Sequence, residues 1–234
     1  MTIVITGASR GIGFSLADKF GKEGNNLVLS SKNPEVLKAS ADELQNNYKN
    51  VQIKSFAADL AEKQEVKKFA AFVANTKLPV DILINNAGNF LPGSVYNEDE
   101  GLLEKMIAIN LYSAYHLTRA LLPGMMARKI GHVFNISSIA ALKAYANGGS
   151  YSISKYALMG FSKNLREEMK PFNIKVTTVY PGAVYTSSWD GSGVEPQRIM
   201  EAKDIANSIY AMSQLSPQAC VEDFIIRPLL GDLP

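Results

Sequence analysis

Seven short apolar runs recur along this chain, with stretches of helical apolar spacing between them, and this alternation constrains the fold most strongly. The runs lie near residues 2–6, 26–31, 51–56, 80–85, 131–137, 173–180 and 220–226. Strands that alternate with helices form a parallel sheet covered on both faces, and right-handed crossovers make it a doubly wound α/β sheet. The 234 residues, 47% of them hydrophobic and 20% charged, suffice for one large core. We therefore predict a single domain over residues 1–234.

A glycine-rich turn follows the first run directly. Residues 2–6 are β-branched and apolar, residues 7–13 read GASRGIG, and an amphipathic stretch continues to Glu23. Glycine allows the backbone to turn tightly and approach a ligand, and the N-terminus of a following helix offers unpaired N–H groups to phosphate. The spacing is G-x-x-x-G-x-G, so the general dinucleotide fingerprint is not matched letter for letter. The flanking strand and helix favour a phosphate-binding loop over a simple connector.

Tyr151, Lys155 and Ser138 predict a site for carbonyl chemistry. Tyr151 and Lys155 lie four residues apart in YSISK, and the apolar spacing over 150–170 predicts a helix that places them on one face. A neighbouring ammonium favours the phenolate, so we expect Lys155 to lower the pKa of Tyr151 towards neutral pH. Ser138 follows a predicted buried strand, at the carboxyl end where open α/β sheets bind ligands, and its hydroxyl could polarise a substrate oxygen.

Several further motifs accompany these residues in one order along nearly the whole chain. They are TGASRGIG at 6–13, Asp59-Leu60, NNAG at 85–88, Asn110, Ser138, Tyr151, Lys155 and PGAVYT at 181–186. On these residues the sequence resembles the short-chain dehydrogenase/reductase family. The resemblance implies a Rossmann-like fold with seven parallel strands in the order 3-2-1-4-5-6-7. It also implies an oxidoreductase that uses a nicotinamide cofactor to reduce a carbonyl by hydride transfer.

The resemblance assigns roles to individual residues. Lys155 would bond the nicotinamide ribose as well as tune Tyr151, and Asn110 would hold a water that resupplies protons through Lys155. Asn110 has a structural alternative, because the stretch from Glu100 to Arg128 is too long for one simple crossover and predicts two helices that meet near Asn110, and asparagine favours such a break. The implied cofactor-binding set is Gly7, Ser9, Arg10, Gly11, Ile12, Gly13, Ser31, Lys32, Asp59, Leu60, Asn86, Ala87, Gly88, Tyr151, Lys155, Pro181, Gly182, Val184 and Thr186. Asn85 is expected to be structural.

Charge after the second strand indicates which cofactor is bound. NAD-binding sites usually place an acid there to accept hydrogen bonds from the adenosine ribose. Here the sequence is Ser30-Ser31-Lys32, with no carboxylate to repel a 2′-phosphate. Lys32 and Arg10 can neutralise that phosphate through charge-assisted hydrogen bonds, which predicts NADP(H) rather than NAD(H). The alternative is that both are ordinary solvated charges.

The substrate is less constrained than the cofactor. PGAVYT followed by Trp189, and VEDFIIRP at 221–228, are similar to bacterial sepiapterin reductases, whereas the middle of the chain is similar to 3-oxoacyl-carrier-protein reductases. The chain ends GDLP without the glycine-rich closing segment typical of the oxoacyl reductases, which favours a small ketone or diketone such as sepiapterin. Trp189 lies in a predicted substrate lid at about 185–200, where it would stack on a flat substrate or fill space. A non-catalytic NADP(H)-sensing protein is the alternative of another class.

Charge and composition bound the remaining partners. A net charge of +2, with acids and bases mixed, predicts neither nucleic acid nor a membrane surface as a partner, and no apolar span or signal segment is apparent, so we expect a cytoplasmic protein. His116 and His132 are the only histidines and lack companions at ligand spacing, so no metal is predicted. The family resemblance implies a homodimer or homotetramer.

Overall fold

A seven-stranded parallel sheet forms the centre of the computed structural model, which describes residues 1–189 and 191–233. Its strands are β1 (Thr2–Thr6), β2 (Asn26–Ser31), β3 (Ile53–Ala57), β4 (Ile82–Asn85), β5 (Gly131–Ile136), β6 (Ile174–Pro181) and β9 (Asp223–Ile226). Two short strands, β7 (Val184–Tyr185) and β8 (Met200–Glu201), pair separately. The spatial order β3-β2-β1-β4-β5-β6-β9 confirms the predicted arrangement, with β9 as the seventh strand of the sheet.

Helices cover both faces of this sheet. They are α1 (Gly11–Lys22), α2 (Pro34–Asn47), α3 (Lys63–Asn75), α4 (Leu102–Ile107), α5 (Ser113–Arg128), α6 (Gly149–Met169) and α7 (Ala202–Ser213). The apolar side chains of α1, α2 and α7 pack on one face, and those of α3, α5 and α6 pack on the other. Within the described ranges, no helix is both long and apolar enough to cross a membrane.

The alternation of side chains along β1 shows why the central strands read as continuous apolar runs. Ile3 and Ile5 point into the core beside Phe20, whereas Val4 points into the opposite core beside Phe69. All five are fully buried. A parallel strand with helices on both faces has no solvent side, so every position favours an apolar residue.

The predicted break near Asn110 is a five-residue π-helical turn, Ala108–Tyr112, that joins α4 to α5. Helices α4 and α5 therefore form one continuous helix interrupted by the π-turn, not two separate helices. The turn directs Asn110 inward, where it is 1% exposed. Such π-turns occur frequently at functional sites.

Parallel pairing brings the carboxyl ends of the central strands to one edge of the sheet. The segments that follow β1, β4, β5 and β6 therefore meet there, and they carry the predicted motifs. The last strand begins at Asp223, later than predicted, because the chain leaves a turn in which Ala219 N donates to Ser216 O and residues 219–222 have no regular secondary structure.

The tight packing of Gly13 generates a stability prediction. A Cβ at this position would lie 2.1 Å from the Gly7 carbonyl oxygen, so Gly13→Ala should lower the free energy of unfolding by about 1–3 kcal/mol. Gly160, inside α6, is the matched control, because apart from its own helix backbone no heavy atom lies within 4 Å of its would-be Cβ. There alanine should stabilise by about 0.5–1 kcal/mol. Urea unfolding of the two variants measures both values, and equal effects would contradict this packing argument.

Candidate active site

The glycine turn after β1 is held in place by the end of β4. Asn86 Nδ2 donates to the carbonyl oxygens of Thr6 (2.9 Å) and Gly7 (3.1 Å). In return, Thr6 Oγ1 accepts from the backbone N–H groups of Asn86 (3.0 Å) and Ala87 (2.9 Å). Gly7 has a φ of +64°, a conformation that favours glycine. The side chain of Asn86 therefore shapes the turn. Because its amide nitrogen is used in this way, only the remaining surface of the residue could contact a cofactor.

The N-terminus of α1 fits a phosphate group. Arg10 occupies the N-cap position, with no side-chain hydrogen bond capping α1 among the described residues. Thr186, from the PGAVYT segment, lies over the turn, since a Cβ on Gly11 would come within 3.0 Å of its Cγ2 atom. Open N–H groups and the positive end of a helix dipole together favour an anion.

After β2, Lys32 forms an ion pair with Asp59, with 2.7 Å between Nζ and Oδ2. The hydrogen bond to Asp59 raises the pKa of Lys32. Burial by itself would raise the pKa of Asp59, but the hydrogen bonds from Lys32 and from the backbone of Ala61 outweigh it and lower that pKa. The sequence did not reveal this pairing of two predicted cofactor residues. Leu60, 3% exposed, packs in the core, so its side chain is structural.

A pair of serines lies beside the glycine turn. Ser9 Oγ and Ser31 Oγ are 2.8 Å apart, which joins the turn to the end of β2. The Ser9 carbonyl accepts a hydrogen bond from Ser40 of α2. The predicted residues of this region are thus brought together by the fold.

Asn110 connects the loop after β4 to α6. Its Oδ1 accepts from Asn89 N (2.9 Å), and its Nδ2 donates to Asn89 O (3.1 Å) and Ser154 Oγ (2.9 Å). Gly88 lies against the same group, since a Cβ there would be 2.8 Å from Asn110 Oδ1 and 3.4 Å from Lys155 Nζ. Both amide atoms of Asn110 are occupied, so its side chain has a structural function in addition to any catalytic one.

Lys155 places an ammonium group inside the protein. Its Nζ donates to the carbonyl oxygen of Ile136 at 3.0 Å, while the residue is 5% exposed. Burial lowers the pKa of Lys155 to about 8. An ammonium can donate three hydrogen bonds, and this contact uses one of them. The remaining donors fit the hydroxyl groups of a sugar.

The Ser138 hydroxyl lies near enough to the Tyr151 hydroxyl to lower the pKa of Tyr151, and it also accepts a hydrogen bond from Ala140 N at 3.1 Å. The prediction of a lowered pKa was wrong for the protein alone. Burial raises the pKa of Tyr151 to about 12, and Ser138 offsets only part of that effect. Lys155 Nζ lies 5.8 Å from the centroid of the Tyr151 ring, and it is not among the groups that shift this pKa.

Two residues that the sequence analysis missed contact the start of α6. The Phe90 ring lies edge-on to the Tyr151 ring, with centroids 4.8 Å apart and an interplanar angle of 81°. Phe90 is nevertheless 56% exposed, so it also faces the space outside Tyr151. Glu98 accepts a hydrogen bond from Ser150 N at 2.8 Å. An apolar residue in a loop directly after NNAG was a usable signal for Phe90, whereas nothing local distinguished Glu98.

The predicted lid at about 185–200 begins and ends in the short parallel pair β7–β8, where Tyr185 aligns with Glu201. Trp189 lies in a 3₁₀ turn and its N–H donates to Thr186 O at 2.9 Å. Asp190 of this segment lies outside the described residues. Trp189 is therefore tied to the PGAVYT segment by its backbone, and its role towards a substrate stays a prediction.

Known proteins resemble this chain over nearly its full length. A sepiapterin reductase from Chlorobaculum tepidum is 30% identical over 239 residues, which cover 99% of this chain and 97% of that protein. An uncharacterized oxidoreductase from Staphylococcus saprophyticus is 30% identical over 227 residues, which cover 97% of this chain and 96% of that protein. These relatives agree with the resemblance found in the motifs.

A solved structure and a family model lead to the same family. A metagenomic short-chain oxidoreductase in complex with NADP superposes with a TM-score of 0.84 at 31% identity, covering 97% of this chain and 96% of that chain. The family model for short chain dehydrogenases matches residues 1–195. The chain therefore belongs to the short-chain dehydrogenase family and is an oxidoreductase that depends on a nicotinamide cofactor.

Proposed function

We propose that this enzyme uses NADP(H) to reduce the carbonyl group of a small ketone or diketone to an alcohol. The observation that supports this most is that Tyr151, whose pKa Ser138 influences, lies beside the buried ammonium of Lys155, with 5.8 Å between Lys155 Nζ and the centroid of the Tyr151 ring. Two neighbouring hydroxyl groups, one of which gives up its proton, can hold a carbonyl oxygen and protonate it as negative charge develops there.

The nicotinamide cofactor, when bound, supplies the hydride for the carbonyl carbon. The N-terminus of α1 would hold its phosphates. Lys155 would donate to the nicotinamide ribose through the N–H groups that are not bonded to the Ile136 carbonyl. Asp59 and the segment around Thr186 would border its adenine and carboxamide ends. Lys32 and Arg10, both exposed, would bind the 2′-phosphate and so favour NADP(H) over NAD(H).

Tyr151 would act as the proton donor and Ser138 as the group that holds the substrate oxygen. A phenol whose pKa is raised to about 12 remains protonated at neutral pH, so Tyr151 carries the proton that carbonyl reduction requires. Lys155, with a pKa near 8, can carry charge or release a proton close to physiological pH. The Asn110 turn, packed against Gly88 beside Lys155, would support resupply of that proton.

A planar carbonyl compound such as sepiapterin is the substrate class that we propose. Phe90 presents an exposed ring next to Tyr151, and aromatic rings favour stacked or edge-on contact with flat groups. Trp189 would provide a second aromatic side chain from the proposed lid. The sepiapterin reductase from Chlorobaculum tepidum supports the same class. A 3-oxoacyl-carrier-protein substrate is the alternative.

We also propose that the enzyme forms a homodimer or homotetramer. Helices α5 and α6 border a groove of about 710 Å³ whose lining includes Tyr112, Tyr115 and Phe161. These are the helices that the family resemblance places between subunits. Tyr112 is 50% exposed in one chain, and a second copy of the chain would cover it.

Parallel assays of NADPH consumption test the proposed reaction. Sepiapterin should be reduced much faster than an acetoacetyl thioester, and Tyr151→Phe should lower turnover by about 10²- to 10⁴-fold, because general acid catalysis is lost. Fluorescence titration of NADPH should show nearly unchanged affinity in this variant. Preference for the thioester would support the oxoacyl alternative, and NADPH binding without turnover of any carbonyl would support a sensing role.

Lys32 generates a prediction about cofactor choice. Lys32→Ala should raise the KM for NADPH about 10-fold, because a charge-assisted hydrogen bond to the 2′-phosphate is lost, and should leave the KM for NADH nearly unchanged. Lys38→Ala is the matched control, since Lys38 has a similarly exposed side chain (76% against 78%) that is also paired with an aspartate. An equal loss for NADPH and NADH would refute the role given to Lys32.

The buried ammonium predicts how stability depends on pH. The pKa of Lys155 falls from an ordinary 10.5 to about 8 in the folded protein, so the unfolded chain binds the proton more tightly between these values. The free energy of unfolding should therefore rise with pH across that window in the wild type. Below the window, the full destabilising effect of burying the ammonium is present. Lys155→Met should lack this rise. Urea unfolding of the two cofactor-free proteins from pH 8 to 10 measures the difference, and parallel curves would contradict it.

A further inference from the structure

The loop of residues 89–98 is bonded to the start of α6 through Glu98. Glu98 Oε1 accepts from the backbone N–H of Ser150 at 2.8 Å, and Oε2 accepts from the Ser150 hydroxyl. Ser150 is 1% exposed, so these bonds lie inside the protein although Glu98 comes from a surface loop. Both oxygen atoms of the Glu98 carboxylate therefore accept hydrogen bonds from one residue of α6.

The residues around Glu98 are shaped to admit its carboxylate. Gly149 has a φ of +36°, and a Cβ there would lie 1.9 Å from Glu98 Oε1. The same loop is bonded a second time, because Gly93 N donates to Asn147 O at 3.1 Å and Ser94 Oγ donates to Asn147 Oδ1 at 2.7 Å. Glycine at position 149 thus leaves the space that the carboxylate occupies.

Glu98 replaces the local cap that α6 lacks. The N-cap residue is Gly148, which provides no side-chain hydrogen bond, and the first turn contains no acidic residue. The first N–H groups of a helix need acceptors, and a carboxylate there also interacts favourably with the helix dipole. The acceptor comes from a residue 52 positions earlier in the chain.

The position of Tyr151 depends on this first turn of α6. Tyr151 directly follows Ser150, whereas Lys155 lies one turn further and is held separately by the Ile136 carbonyl. We infer that Glu98 is a positioning residue, which acts through Ser150 to hold the Tyr151 hydroxyl at Ser138 for proton transfer. This inference rests on the proposed carbonyl reduction. Loosening the first turn would displace the proton donor and leave the cofactor contact of Lys155 in place.

Replacement of Glu98 tests this inference in the full-length enzyme. Glu98→Ala should lower kcat for carbonyl reduction about tenfold, since small displacements of catalytic groups are costly, with the Kd for NADPH unchanged. Folded enzyme is counted by the stoichiometry of NADPH binding, so a loss of stability alone does not lower the measured kcat. Glu98→Gln should restore most of the activity, because its amide can still accept from Ser150 N and bond the hydroxyl. Glu100→Ala, a neighbouring exposed carboxylate, is the control and should match the wild type.

Ser150→Ala, alone and combined with Glu98→Ala, provides a second test of the same contact. Ser150→Ala removes the hydroxyl bond alone and should lower kcat by a smaller factor, with little added loss in combination with Glu98→Ala, because both act on one contact. This variant carries the test if Glu98→Ala does not fold. Wild-type kcat in Glu98→Ala or in Ser150→Ala, or equal losses in kcat and NADPH affinity, would overturn the positioning role. Absence of carbonyl reduction in the wild type would instead refute the proposed function.

Discussion

The buried ammonium of Lys155 is the constraint on which the arrangement of the site depends. Removing it from water is unfavourable enough to lower its pKa to about 8, so the fold has to place a strong acceptor beside it. The Ile136 carbonyl at the end of β5 is that acceptor. Gly88 at the end of β4 leaves room for the long side chain, since a Cβ there would crowd both Lys155 and Asn110. Two strand ends, the π-turn and α6 therefore have to meet at one point.

Amide side chains at the carboxyl edge of the sheet keep these strand ends together. Asn85 Nδ2 donates to Asn135 Oδ1 at 2.8 Å and to Thr118 Oγ1 at 2.9 Å, which ties β4 to β5 and α5. Asn86 ties β4 to the glycine turn after β1. A buried amide N–H without an acceptor would be costly, so the two bonds from Asn85 Nδ2 favour this strand register, although Asn85 Oδ1 has no hydrogen-bond partner among the described residues. The amides that align the sheet thus lie at the same strand end as the residues of the candidate site.

Much of the fold, and part of the site, could be predicted from sequence. The bounds of β1 and β2 matched because strands buried on both faces are uninterrupted apolar runs, and Ser138 and Lys155 follow from strand and helix periodicity. The raised pKa of Tyr151 could not be predicted, because the adjacent lysine is visible in the sequence and the degree of burial is not. Glu98 could not be found either, since its partner Ser150 is 52 residues away and the loop between has no periodic pattern.

Two segments that we propose to contact the substrate, residues 89–98 and 185–200, are attached to the rest of the protein in different ways. The loop that carries Phe90 is held at one end by Asn110 and at the other by Ser150, so the aromatic ring beside Tyr151 has a fixed place. The segment that carries Trp189 rests on the two-residue pairing of β7 with β8. A wall bonded at both ends selects for shape, because it cannot move away from a misfit. Under the proposed function, adjustment to different substrates would fall to the segment around Trp189.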